Sequence, residues 1–205
     1  MNRRAMNLTN RFRAFAMIFA ATLALAACGP TKEPLDQAPL AGATIGGDFT
    51  LADKNGQPVR WADFKGKWRI VYFGYTYCPD ACPLDVGIMM QGFTRYAKAE
   101  PVLAKAIQPI FITVDPARDT AARVGEFAAA FSPSLMGLTG TPEQIAATTK
   151  AFASYSARGK DLPGGYIMDH SRIVYLFDPA GKPIATLPVD KGAEAVAAEL
   201  ARWVR

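Results

Sequence analysis

Arg69-Ile70-Val71-Tyr72-Phe73-Gly74-Tyr75-Thr76-Tyr77-Cys78-Pro79-Asp80-Ala81-Cys82-Pro83 changes character halfway along. Arg69 to Tyr75 is a β-branched and aromatic run of the kind that forms a strand buried on both faces. From Pro79 to about Lys98 the spacing of Leu84, Ile88, Gln91 and Tyr96, with apolar residues interleaved, suits a helix better than a strand. A strand therefore passes into a helix, and both cysteines fall at the helix start. Unpaired backbone N–H groups and the helix dipole favour negative charge there. That favours thiolate, the form that serves both as nucleophile and as metal ligand.

Downstream, Ile107 to Val114 reads as a second buried strand closed by Asp115-Pro116, with a helix following from about Thr120 to Phe131. Leu135 to Leu138 is a short strand. Thr141-Pro142-Glu143-Gln144 carries an N-cap with proline at the first helical position and opens a helix to about Tyr155. Arg158 to Gly165 is expected to be a Gly-rich loop. Two strands, Arg172 to Phe177 and Ile184 to Val189, turn at Asp178-Pro179-Ala180-Gly181-Lys182, and an Ala-rich helix from Ala193 to Val204 ends the chain. Upstream, Asn55-Gly56 between short apolar runs in 48–59 marks a hairpin, and Trp61 to Phe64 a brief turn. The order β-α-β-α, then β-β-α, with a cysteine pair where the first helix begins, predicts an α/β fold: a thioredoxin-like three-layer sandwich with a central mixed sheet and an N-terminal hairpin.

The chain has 205 residues, half of them hydrophobic, and a formal net charge of +5. Arg3, Arg4, Arg11 and Arg13 all precede the domain; 23 basic residues less these four leave 19 against 18 acidic ones, about +1. A nearly neutral domain lacks the basic patch or stripe that a nucleic-acid binder needs, so nucleic acid is not an expected partner. The four arginines lead, with no acidic residue, into an apolar run from Ala14 to Ala27 that is short for a bilayer-spanning helix of about 20 residues. It ends in Leu25-Ala26-Ala27-Cys28, a tetrapeptide resembling a lipobox. Residues 1–27 are thus expected to be a lipoprotein signal peptide, Cys28 the lipidated residue, 28–47 a flexible tether rich in Pro, Ala and Gly, and 48–205 the working domain. An uncleaved anchor and an ordinary signal peptide are the alternatives. Each of the three sends the domain out of the cytoplasm, and lipidation places it on the periplasmic face of a cell membrane.

With Cys28 assigned to lipid, Cys78 and Cys82 remain as one close pair. In an oxidising compartment such a pair is a redox-active disulfide, a metal clamp, or both in turn. Residues i and i+4 of a helix hold their Cβ atoms about 5–6 Å apart, whereas a disulfide prefers about 3.5–4.5 Å. The spacing tilts toward a clamp without excluding a disulfide. His170, the one histidine in the chain, ends the Gly-rich stretch just before a strand. In the expected topology that loop faces the tip carrying the cysteines, so His170 completes a set of two sulfurs and one nitrogen. Soft thiolates select Cu(I), while imidazole accepts Cu(I), Cu(II) and Zn(II). Zinc with Cys2His is the rival metal, but a structural zinc site normally has four protein ligands, and no convincing fourth is visible. Asp80 reads as a solvated charge at a helix start, and Asp169 as a group that orients His170 from behind.

Three motifs, in this order, carry a family resemblance: Phe73-Gly74-Tyr75-Thr76-Tyr77-Cys78-Pro79-Asp80-Ala81-Cys82-Pro83, Thr113-Val114-Asp115-Pro116-Ala117-Arg118-Asp119-Thr120, and Asp169-His170-Ser171. The sequence resembles the Sco/SenC family of copper metallochaperones over nearly all of the exported domain. The resemblance implies that Cys78, Cys82 and His170 hold Cu(I) or Cu(II). It also implies delivery to the binuclear copper centre of a cytochrome c oxidase subunit, with reduction of that subunit's cysteines as a further proposed role. A periplasmic copper donor is the implied source. The departure lies at the N-terminus, where a lipobox stands in place of the more common single membrane-spanning anchor. Asp115, Arg118 and Asp119 invite reading as a docking or supporting cluster, although Asp119 and Thr120 also read as a helix start. Met89 and Met90 read as core. The competing functions are a membrane-tethered thiol–disulfide oxidoreductase with no copper role, which has little use for His170, and a thiol peroxidase on the same fold.

Overall fold

Asn55 and Gln57 both donate backbone N–H groups to Asp53 Oδ1, at 2.8 and 2.9 Å, and so turn a short hairpin of β1 (Thr50–Ala52) and β2 (Pro58–Arg60). This opens a computed structural model that describes residues 32–205, of which Glu33–Arg205 forms one unit. The signal read in 1–27 and the lipidation candidate Cys28 lie outside the described residues. After the hairpin come β3 (Trp68–Gly74), α1 (Ala81–Ala99), the short α2 (Pro101–Ala104), β4 (Ile107–Thr113), α3 (Ala121–Phe131), β5 (Met136–Leu138) and α4 (Pro142–Ala151). The chain ends with β6 (Ser156–Leu162), β7 (Gly165–His170), β8 (Val174–Phe177), β9 (Pro183–Leu187) and α5 (Ala193–Trp203).

Five strands form the main sheet in the order β5-β4-β3-β8-β9. β3 pairs parallel with β4 and antiparallel with β8, so the sheet is mixed. Every residue of β3 is buried because it is the middle strand and both of its faces are covered. Neighbouring side chains point to opposite faces: the Tyr72 hydroxyl donates to Asp85 of α1 at 3.0 Å, while the Phe73 ring stacks 5.6 Å from Phe152 at the end of α4. Helix, sheet and helix make the three layers of the thioredoxin-like sandwich. Met89 and Met90 lie in its core.

α5 buries Val196, Leu200 and Trp203, an i, i+4, i+7 stripe, against α1. The two helices approach so closely at Gly92 that a Cβ there would sit 2.5 Å from Val196 Cβ and 2.9 Å from the Ala193 carbonyl oxygen. Alanine is ordinarily the better helix former by about 1 kcal/mol, yet overpacking costs about 1–3 kcal/mol. Gly92→Ala is therefore expected to destabilise the fold, read as a lower urea midpoint with an unchanged slope.

Two expectations are corrected. The stretch read as a Gly-rich loop over 158–165 belongs to a hairpin, β6–β7, with an irregular register between Arg158 and Asp161. Its strands bury few apolar side chains, so hydrophobic patterning does not reveal them. The tether expected over 28–47 lies against the domain from Glu33 onward. Leu35, Leu40 and Ile45 pack on the core, the Leu40 N–H donates to the Ile184 carbonyl at 3.0 Å, and Arg202 pairs with Glu33 at 2.8 Å. A composition rich in Pro, Ala and Gly permits a free chain, but three spaced aliphatic residues are enough to hold it down. No helix among the described residues is long and apolar enough to cross a membrane.

Candidate metal centre

The turn between β3 and α1 carries Cys78, and Cys82 lies in the first turn of α1, which begins at Ala81 rather than Pro79. Cys78 is therefore just outside the helix, and its Sγ accepts the Cys82 backbone N–H at 3.3 Å. Cys82 is fully buried. Its sulfur rests so close to β3 that a Cβ on Gly74 would come to 3.2 Å from it, and to 2.9 Å from Tyr72 Cε1, so glycine leaves the room that the sulfur and the ring occupy. His170, the last residue of β7, brings Nε2 to 3.1 Å from Cys82 Sγ. The two sulfurs and an imidazole nitrogen all lie within 4.8 Å of one another. His170 Nδ1 is 2.9 Å from the Ser171 carbonyl oxygen. A carbonyl only accepts, which places a proton on Nδ1 and turns Nε2 toward the sulfurs. The rings of Tyr72 and Tyr75 meet the imidazole edge-on, with centroids 6.2 and 5.8 Å away.

The pair is electrically asymmetric. Hydrogen bonding from the Cys82 side chain, and then from His170 and backbone N–H groups, outweighs burial and pulls Cys78 down to about 3 from the ordinary 9.0. The same contact with Cys78, together with burial, pushes Cys82 up. With its folded pKa depressed, Cys78 is thiolate at neutral pH and becomes thiol only as pH falls through that low value. In the metal-free protein, alkylation of Cys78 by iodoacetamide is therefore expected to be nearly independent of pH between about 5 and 9, where an ordinary thiol climbs about tenfold per unit below its pKa. A tenfold rise per unit across that range would contradict it. Cys82 should stay unlabelled until the protein unfolds.

Three buried carboxylates brace this centre. Asp85, three residues after Cys82, accepts a bidentate pair from Arg172 at 2.8 and 2.6 Å as well as the Tyr72 hydroxyl. It ties the helix that carries one sulfur to the segment directly after the imidazole. Asp119 accepts from the backbone N–H of Thr76 at 2.9 Å and from the hydroxyls of Thr76 and Thr113, both at 2.6 Å, fixing the turn that presents Cys78. Asp115 accepts Arg118 Nε at 2.5 Å and the Tyr166 hydroxyl at 2.8 Å. Its contacts are thus with Arg118 and the β6–β7 hairpin, and it touches none of the three ligands directly. Asp169 is exposed on the opposite face of β7 from His170, and the Ser171 carbonyl takes the orienting role assigned to it. Asp80 is exposed at the N-cap of α1. Tyr75 is buried against the imidazole, while Tyr77 is exposed, with Arg118 and Arg123 over its ring. Asp85 had a sequence signal: a carboxylate among Cys82, Val86, Met89 and Phe93 on the apolar face of α1 requires a buried partner.

The donor set suits a soft ion: two sulfurs, one of them thiolate, and an imidazole nitrogen. Among the described residues, no fourth Cys, His, Asp or Glu joins the group.

Residues 37–205 match the SCO1/SenC family. The mitochondrial protein SCO2 homolog of Mus musculus is 46% identical over 144 residues, 69% of this chain and 56% of that protein. The chain spans about half the length of the curated relatives it matches. Among solved structures, Arabidopsis thaliana ScoI with copper bound superposes with a TM-score of 0.73 at 32% identity, covering 77% of this chain and 96% of that one. Bradyrhizobium japonicum ScoI with copper bound gives 0.70 at 36% identity over 78% and 99%.

Proposed function

This chain belongs to the SCO1/SenC family, and from that premise we propose that Cys78, Cys82 and His170 hold one copper ion, Cu(I) or Cu(II), as cargo. The destination is the binuclear copper centre of a cytochrome c oxidase subunit, and the source is a periplasmic copper donor. One observation carries the reading: two sulfurs and an imidazole nitrogen converge within 4.8 Å at the mouth of a turn held by buried carboxylates. The relatives solved with copper bound support the choice of metal. Three protein ligands leave the ion under-coordinated, so an incoming ligand from the acceptor can join before the donor lets go. In this reading the domain works at the periplasmic face of a membrane, anchored through lipid on Cys28.

A second reading, reduction of the acceptor's cysteines, is favoured by the asymmetry of the pair. The half-buried Cys78 thiolate attacks a partner disulfide, releasing one partner thiolate. The Cys82 thiol then loses its proton and displaces the second, leaving Cys78 and Cys82 joined and two electrons transferred.

The test is copper content after loading and desalting of the full chain. About one copper per chain is expected, with weaker retention in His170→Ala. No stoichiometric copper, or an unchanged affinity and spectrum in His170→Ala, would sink the three-ligand site.

A further inference from the structure

The imidazole is delivered by the least supported element of the fold. β6 and β7 form a two-stranded sheet of their own, separate from the main sheet, and a lone hairpin is marginally stable in water. Side chains alternate along a strand, so Tyr166, Met168 and His170 share one face of β7. That face is half-buried, and Met168 packs on the core, while Asp169 on the other face is exposed.

What holds this face down is concentrated at Tyr166. Its ring lies 3.6 Å from the Arg118 guanidinium and 3.9 Å from that of Arg158, measured to the ring centroid. Its hydroxyl donates to Asp115 Oδ1 at 2.8 Å, and Asp115 Oδ2 accepts Arg118 Nε at 2.5 Å. Asp115 lies two residues past the end of β4 and is buried, with its N–H on Thr113 Oγ1 at 2.9 Å. Tyr166 thus closes a ring of contacts rooted in the central sheet. Four residues of strand, about 13 Å, separate it from His170.

We propose that Tyr166 is a positioning residue for His170: clasped by Arg118, Arg158 and Asp115, it holds the hairpin against the body and keeps Nε2 in reach of the two sulfurs. The inference rests on the reading of Cys78, Cys82 and His170 as copper ligands. Released at Tyr166, the hairpin lifts, the sulfurs keep the ion, and the nitrogen is lost. The clasp acts on one ligand out of three.

The experiment is a double-mutant cycle on the full chain loaded with Cu(II). Tyr166→Ala is expected to lower affinity about 10–100-fold, the range for losing a group that orients a metal ligand, and the Tyr166→Ala/His170→Ala double variant to bind no more weakly than His170→Ala. Nitrogen hyperfine coupling should vanish from the electron paramagnetic resonance spectrum of Tyr166→Ala, while the thiolate-to-copper charge-transfer band persists. Amides of 156–170 in the metal-free variant should exchange faster, with the main sheet unchanged. Tyr166→Phe keeps the stacked ring and should recover most of the affinity; Arg158→Ala, an exposed change, provides a mild loosening should Tyr166→Ala fail to fold. Retained hyperfine coupling in Tyr166→Ala, or losses that add in the double variant, overturns the clasp. If His170→Ala itself leaves copper affinity unchanged, the ligand reading fails and the clasp with it; if only Tyr166→Ala is without effect, the clasp alone fails.

Discussion

Serine at Cys78 or at Cys82 is expected to lower copper(I) affinity by well over the roughly 100-fold that marks the upper range for disturbing a partner of a ligand. A hydroxyl is a hard donor that stays protonated at neutral pH, whereas the thiolate it replaces is the soft donor Cu(I) selects. No other side chain is placed to compensate, because among the described residues the cluster contains just Cys78, Cys82 and His170. Neither replacement should unfold the protein. Cys78 is half-buried, and a hydroxyl at 82 still finds His170 Nε2 beside it. Competition against a copper(I) chelator of known affinity, with a melting curve as control, reads the effect. A serine variant that binds within tenfold of the parent would remove that cysteine from the site.

The second large effect is on stability, and it lies outside the ligand set. Asp85 is 1% exposed and Arg172 is its one cationic partner, the guanidinium reaching in from a side chain that is 54% exposed. Arg172→Ala removes the solvated half of the pair and leaves a carboxylate inside with just the Tyr72 hydroxyl. Breaking a buried pair costs about 3–5 kcal/mol, and the open side of this one puts it near 3. For a chain of this length that is a fall of about 6–12 °C in the melting temperature. Adding Asp85→Asn to Arg172→Ala should restore much of the loss, since the stranded charge is gone. If Arg172→Ala melts with the parent, the pair is not a structural tie. Arg172 stands two residues from His170, so the same variant should also bind copper less tightly.

Much of this was legible in the sequence because it depends on short-range pattern. Strand, turn and helix around Cys78 and Cys82 follow from an apolar run meeting a helical period. The N-cap at Thr141 follows from Thr-Pro-Glu-Gln, and its side chain does accept the Gln144 N–H. The β6–β7 hairpin was not legible. Its residues, Ser156-Ala-Arg-Gly-Lys-Asp-Leu162, lack the alternating apolar set that marks a strand, and it is held by a tyrosine between two guanidiniums. Asp169 was assigned from its place beside His170, and Asp115 from the motif Thr113 to Thr120. The pleat turns Asp169 away from the imidazole, and Asp115 reaches a tyrosine 51 positions on.

By itself, the sequence determined the kind of chemistry: two thiols at a helix start, one imidazole in the whole chain, and the order of strands and helices that brings them to one end of a sheet. Residue identity and local period are short-range properties, and they suffice for that. Which partners hold the three groups in place was decided by tertiary structure alone. The ties between Asp85 and Arg172, Asp119 and Thr76, and Tyr166 and Asp115 join residues 87, 43 and 51 positions apart. Such contacts come into being when the sheet forms, because only the folded backbone excludes water from the carboxylates and brings their distant donors within reach.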